Sequence, residues 1–265
     1  MSKAVVRREE IGRLASSGGL ASVEELSRAF GVTPSTIRRD LAHLTESGVL
    51  ARTYGGAIAL PTHAEAPLSD RRSDAHSAKR AIGLWAAAQV RVGQSVLLDA
   101  GTTTAELAYA LRETSPLRVA TIGLTPLEAI SGATGVEVVC LGGHLRDISQ
   151  GFEGPITEMA LEQLSFDAVF LGCDGVTAER GICEASIAQT RLKELMVRSS
   201  VVTYVLAHAA KLGSAPFNAW VRMPSSWTLV TDEAATDAQV ASFERRGVRV
   251  IVVDATGSEI PHLSA

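Results

Sequence analysis

One pattern constrains the fold of this chain above all others: from Lys79 onward, short unbroken apolar runs alternate with helix-length segments. The runs occupy residues 95–99, 118–122, 136–141, 167–171, 201–206, 227–231 and 248–253. Helices are read between them over residues 104–112, from 125, near 155–164, over 186–198 and near 237–245. A strand that is apolar along its whole length, instead of at every second residue, is buried on both faces. Such strands separated by helices predict an α/β, Rossmann-like domain whose mostly parallel sheet lies between two helical layers. Ligands of these sheets bind in the crevice beyond the carboxyl ends of the strands, so chemistry is expected there.

Residues 22–57 follow a different plan. Ser22 and Glu25 have the spacing of a capping box, and Val23, Leu26 and Phe30 then share one helical face. Gly31 ends that helix; Thr33 and Pro34 open a second, in which Ile37, Leu41 and Leu44 face inward. Two short helices joined by a tight turn predict a helix-turn-helix. The second helix of that motif enters the major groove of DNA with its N-terminal residues foremost. Ser35, Thr36, Arg38, Arg39 and His43 lie on its outward and flanking positions and are the candidate DNA contacts. An arginine there either grips guanine O6 and N7 or clamps a phosphate; both readings stay open. The β-prone run 49–54, stopped by Gly55-Gly56, suits the wing of a winged helix, with Arg52 and Tyr54 beside the DNA backbone.

The 265 residues suffice for two domains, and 46% apolar with 20% charged residues is the composition of an ordinary globular protein. A formal net charge of −4 sits oddly with DNA binding until it is divided. Residues 1–60 hold eight Lys/Arg against six Asp/Glu, so the acidity lies in the remainder. So mild an asymmetry implies that DNA affinity relies on duplicating the module in a homo-oligomer. Cys140, Cys173 and Cys183 are odd in number and lack C-x-x-C spacing, and the histidines are scattered. Neither a disulfide framework nor a metal site follows from them, and no cofactor is implied. With no secretory leader and no membrane-length apolar stretch read, a cytoplasmic protein with no membrane partner is expected. The expected boundaries are a winged helix-turn-helix over 1–59, a Pro-, Ser- and charge-rich linker over 60–77, the sensing domain over 78–255 and a flexible tail over 256–265.

The first strand ends in Asp99-Ala100-Gly101-Thr102-Thr103-Thr104 and runs straight into a helix. Glycine lets the backbone approach a ligand, three hydroxyls follow, and a helix start supplies free N–H groups and the positive end of its dipole. That is a phosphate cradle, although it is neither a Walker loop nor a dinucleotide fingerprint; alone, it would equally suit a tight turn and cap. Other strand ends add to it: Gly142, Gly143 and Arg146 after the third, Asp174 after the fourth, Lys211 after the fifth. Asp99 and Asp174 are suited to accept hydrogen bonds from sugar hydroxyls, Arg146 and Lys211 to neutralise a phosphate.

The segments TIRRDL (36–41) and ESGVLARTYGGA (46–57), with AGTTTAEL, LGGHLR, FLGCDG and AHAAKLG farther on, resemble the DeoR family of bacterial transcriptional regulators over nearly the whole chain. The resemblance implies an oligomeric repressor on a double-stranded DNA operator of sugar or related catabolism. It also implies release of the DNA when a phosphorylated sugar-like effector binds the C-terminal domain. That domain is similar in turn to ribose-5-phosphate isomerase; by this likeness Lys79 joins the phosphate site and Asp174 lies near the enzyme's catalytic acids. Two positions depart from the family pattern. Ile122 stands in Thr-Ile-Gly where Thr-Asn-Ser or Thr-Asn-Gly is usual, and His208 in Leu-Ala-His where Leu-Ala-Asp is common. The alternative is a sugar-phosphate isomerase carrying a DNA-binding domain, with Asp174 or Glu184 as general base. Residues 175–181 keep too little of the isomerases' acidic, glycine-rich stretch to favour it.

Overall fold

The computed structural model describes residues 7, 8, 10, 11, 22–46, 50–53, 56–59, 65 and 67–261. The chain divides into two units, Met1–Ala64 and Glu65–Ala265. In the first, α1 (Val23–Phe30) and α2 (Pro34–Glu46) are the helices of the helix-turn-helix. The predicted capping box closes: Ser22 Oγ accepts from the Glu25 N–H at 3.2 Å, and the Glu25 carboxylate accepts from the Ser22 N–H at 2.8 Å. These bonds hold the Glu25 carboxyl below the usual carboxylate range. Gly31 terminates α1 at φ +60°, where glycine carries no penalty, and Thr33 Oγ1 accepts from the Thr36 N–H to start α2.

Ile11, Leu26, Ile37 and Leu44 form the core of this unit, with Val23, Phe30, Val32 and Leu41 against it. Asp40, buried among them, pairs with Arg7 at 2.7 Å. A hairpin of β1 (Leu50–Thr53) and β2 (Gly56–Ala59) follows, paired Thr53 to Gly56. Gly56 therefore begins a second strand, where the sequence suggested only a stop. Val49, Tyr54 and Gly55 lie outside the described residues.

The second unit opens with α3 (Leu68–Ser73) and α4 (His76–Ala88). Next come β3 (Ser95–Leu98), α5 (Thr102–Ala110), β4 (Leu117–Thr121), α6 (Leu124–Ile130) and β5 (Val136–Cys140). The strands β6 (His144–Arg146) and β7 (Gly151–Glu153) make a hairpin before α7 (Pro155–Gln163) and β8 (Phe166–Leu171). Then β9 (Gly175–Thr177), β10 (Gly181–Glu184), α8 (Ile187–Arg198), β11 (Ser200–Leu206) and β12 (Ala219–Trp220) lead to β13 (Thr228–Asp232), α9 (Asp237–Glu244) and β14 (Arg249–Val253).

Every one of the seven apolar runs is a strand of one parallel sheet, ordered β14-β13-β11-β8-β3-β4-β5. Alternation along each strand divides two cores. Val96, Leu98, Val119, Phe170 and Leu206 pack with α4 and α5, whereas Leu97, Ala120, Val169 and Val205 pack with α8 and α9. Burial on both faces keeps the inner strands β3 and β8 mostly apolar, whereas the edge strand β5 is only partly buried and carries Glu137.

Two expectations give way. The linker over 60–77 does not hold for its described part, because α3 lies there, Leu68 is buried, and both helices α3 and α4 belong to the second unit. Two of its charges, Glu65 and Arg71, pair with each other at 3.4 Å, while Asp70, Arg72 and Asp74 stay exposed, so a single buried leucine is all the apolar pattern the segment offers. The tail is likewise folded as far as it is described: the Ile260 N–H donates to Val252 O at 2.9 Å, and Glu259 bridges to Val253.

Candidate functional site

The sheet order reverses between β3 and β8, since the chain runs outward through β4 and β5 and then returns to the far side of β3. At such a switch point the two strand ends splay and leave a crevice. Here the crevice is a cleft of about 780 Å³, open mouth included.

One wall is the turn Asp99–Thr104, where the sequence leads one to expect a phosphate cradle. Gly101 sits at φ +147°, ψ 173°, a conformation that only glycine holds without strain, and it delivers the start of α5 to the cleft. The first helical bond runs from the Ala105 N–H to Gly101 O at 3.1 Å, so the N–H groups of Thr102, Thr103 and Thr104 precede the ladder. Thr104 Oγ1 donates to Gly101 O; Thr102 and Thr103 line the cleft beside it. Lys79, buried on α4, donates from Nζ to the carbonyls of Arg71 and Asp74. Burial, with Lys211 adding to it, brings the Lys79 ammonium down to about 8. Lys211, in the turn after β11, donates to Cys173 O.

The floor is a buried triad. Asp99 accepts from the N–H groups of Ala100 at 2.8 Å and Gly172 at 2.9 Å, tying the end of β3 to the end of β8. Lys193 of α8 lies 2.9 Å from Asp99, pairs with Glu184, and donates to Gly172 O. Burial opposes the Lys193 charge, but Asp99 and Glu184 outweigh it and hold the ammonium above the ordinary lysine range. Burial pushes the Glu184 carboxyl up to about 8 in spite of Lys193, and Asp174 and Asp99 add to the rise. Lys193 thus bridges two buried acids, and burial favours the protonated form of Glu184. Burial also pushes the Cys173 thiol up to about 12, so it is no nucleophile at neutral pH.

The remaining wall holds Arg71 of α3, whose guanidinium lies 3.4 Å from Asp174 and donates to Ile148 O at 3.2 Å. Arg71 Nε, Asp174 Oδ2, Glu153 Oε2 and His208 Nδ1 are all buried without a hydrogen-bond partner, and all four residues line this one cleft. Each such group costs about 1–3 kcal/mol unless something pairs with it. Their convergence marks a place for a polar ligand.

Of the residues singled out from sequence, Lys79, Asp99, Gly101, Thr102, Thr103, Thr104, Asp174 and Lys211 gather around the cleft, as do Ile122 and His208. Gly142, Gly143 and Arg146 do not line it. Gly142 O accepts from Thr157 Oγ1 at 2.6 Å, and a Cβ on Gly143 would lie 2.2 Å from Thr157 Oγ1, so Gly143 leaves room for the start of α7. Gly143→Ala is therefore expected to destabilise by about 1–3 kcal/mol through overpacking, read as a lower urea midpoint. Arg146 instead clasps Glu65 with both terminal nitrogens, and that hydrogen bonding raises its guanidinium further. Sequence reasoning missed Arg71, Glu153 and Lys193. A usable signal existed for Lys193 alone, a charge set among Leu192, Leu195 and Met196 on the inward side of α8.

On α2, Ser35, Arg38, Arg39 and His43 are exposed and Thr36 is half-buried. The Ser35 and Thr36 hydroxyls each lie 2.9 Å from Thr33 Oγ1, in the network that starts the helix. Arg52 lies on β1, with its side chain outside the description, as is Tyr54. Among the described residues no helix is long and apolar enough to cross a membrane.

A model of the DeoR-like helix-turn-helix domain matches residues 7–62, and one of the DeoR C terminal sensor domain matches residues 74–233. The chain is 31% identical over 250 residues, 93% of each protein, to the putative aga operon transcriptional repressor of Escherichia coli O157:H7. It is 30% identical over 236 residues, 89% of this chain and 92% of the relative, to the glycerol-3-phosphate regulon repressor of Escherichia coli K12. Among solved structures, ribose 5 phosphate isomerase A from Neisseria gonorrhoeae aligns with a TM-score of 0.37 at 14% identity, covering 50% of this chain and 52% of that one.

Proposed function

The chain belongs to the DeoR family of transcriptional regulators, and on that footing we propose that it is a homo-oligomeric repressor released from its operator by a phosphorylated, sugar-like effector. Relatives named as repressors of the aga operon and of the glycerol-3-phosphate regulon support repression of a catabolic operon as its task. The observation that carries the effector reading is the cleft itself, where a helix start, Lys79 and Lys211 face four unpartnered buried polar atoms. Neither ammonium has a carboxylate within 4.0 Å among the described residues, so two positive charges await an anion. A phosphate monoester carries the matching charge. Its hydroxylated end then meets the acceptors Asp174 and Glu153. Effector binding releases DNA only if it favours one arrangement of the subunits over the other.

The test is a panel of sugar and polyol phosphates in a thermal-shift assay, followed by operator release in a gel-shift assay. A compound that raises the melting temperature and frees the DNA supports the reading; a panel without any shift contradicts it. For the DNA half, Arg38→Ala or Arg39→Ala is expected to weaken operator binding by about 1–3 kcal/mol if the side chain reads a base. Unchanged affinity and footprint in both variants would remove α2 from the groove. An isomerase activity gains no support from the geometry. Glu184 is buried and held by Lys193, and Asp174 is engaged by Arg71. Product formation from ribose 5-phosphate at enzymic rates would reverse that order.

A further inference from the structure

We propose that His208 is a third contact for the anionic group of the effector, and that occupancy of the cleft loads a proton onto it. The inference rests on the cleft's being a phosphate site. His208 follows β11, is 8% exposed, and shares the cleft with Lys79 and Lys211. Its Nδ1 is buried and unpartnered, while Nε2 lies 3.8 Å from the Asp74 carboxylate. Among the described residues nothing pairs with Nδ1.

The groups around the ring account for its protonation. Lys79 and Asp74 come from α4 and its approach, Lys211 from the turn after β11, and Asp232 from the end of β13. Asp232 is occupied by the Ala209 N–H at 2.7 Å, and the Asp74 side chain is 66% exposed. Burial and the two lysines thus prevail, holding the imidazole below its ordinary range and so neutral.

A dianion held by Lys79, Lys211 and the start of α5 reverses that balance. It cancels the lysine field and offers an acceptor to Nδ1. The ring takes one proton from solvent, and both nitrogens become donors, Nδ1–H toward the anion and Nε2–H toward Asp74. Because the complex then binds more protons than the free protein, affinity increases as pH falls through the imidazole titration, by up to about tenfold per unit. A carboxylate in this position would do the opposite and repel the anion.

The test uses the full chain and inorganic sulfate, which keeps both charges from pH 5.5 to 7.5, whereas phosphate titrates there. Calorimetry in buffers of different ionisation heat should show proton uptake and an affinity that rises toward acid pH. Below pH 6.5, where Lys79 at about 8 is already charged, His208→Gln should bind sulfate with a flat profile and no uptake. If His208→Gln keeps the slope and the uptake, or if the wild-type profile is flat, the proposal fails while the phosphate site stands. If Thr102→Val with Thr103→Val leaves sulfate affinity unchanged, the phosphate site itself is misplaced and the proposal falls with it.

Discussion

Lys193→Met is expected to cost the second unit about 3–5 kcal/mol, the usual penalty for breaking a buried ion pair by removing one partner. Lys193 is 5% exposed and is the only cation touching both Asp99 and Glu184 among the described residues. Without it the Asp99 carboxylate, 2% exposed, keeps two backbone N–H groups and no positive charge. The loss reaches the fold because Asp99 ties β3 to β8 at the switch point. Glu184→Gln separates charge from shape: burial already pulls Glu184 toward its uncharged form, so its amide should cost less than the loss of Lys193. Equal losses in urea unfolding at pH 7 would mean the charge assignment is wrong. The same assignment sets a pH dependence. Folding raises the Glu184 carboxyl from its ordinary 4.5 to about 8, so the folded form holds the proton more tightly. Its contribution is complete below pH 4.5 and is lost as pH rises through 8, and Glu184→Gln should flatten that slope.

Thr102→Val with Thr103→Val should leave operator affinity intact and raise the effector concentration needed for release at least ~100-fold. Two hydrogen bonds to a charged group are worth about 1.5–3 kcal/mol each, and two such losses exceed that factor. Valine keeps the branched shape, and among the described residues neither hydroxyl makes a hydrogen bond that the fold would miss. Thr104 differs, since its hydroxyl is committed to Gly101 O and its side chain is fully buried. Gel-shift titration of release, alongside operator binding without effector, separates the two functions. Release at an unchanged effector concentration would displace the anion from the start of α5.

Local signals and long-range ones diverged along this chain. The caps at Ser22 and Thr33, the stop at Gly31 and the inward stripe of Ile37 and Leu44 were all legible, because each is a relation among residues within a few positions. The seven strands were legible for a related reason: a strand buried on both sides must be apolar at every position, and no other common element is both so short and so uniform. The Gly101–Thr104 cradle could be read because its glycine, hydroxyls and helix start are contiguous. Residues 67–77 and 256–261 misled, since short polar segments that fold on a few tertiary contacts or by edging a sheet carry no periodicity.

The sequence by itself determined the two-part organisation, the parallel sheet, the cradle and the outward arginines of α2, all of which follow from hydrophobic period, capping and turn chemistry. Only the tertiary structure decided which charges meet. It carried Arg71 and Glu153 to the cleft, buried Lys193 between two acids, turned Arg146 to Glu65, and left His208 Nδ1 without a partner. Pairings of that kind join residues far apart in the chain, and their energies depend on distance and burial, which no local pattern encodes.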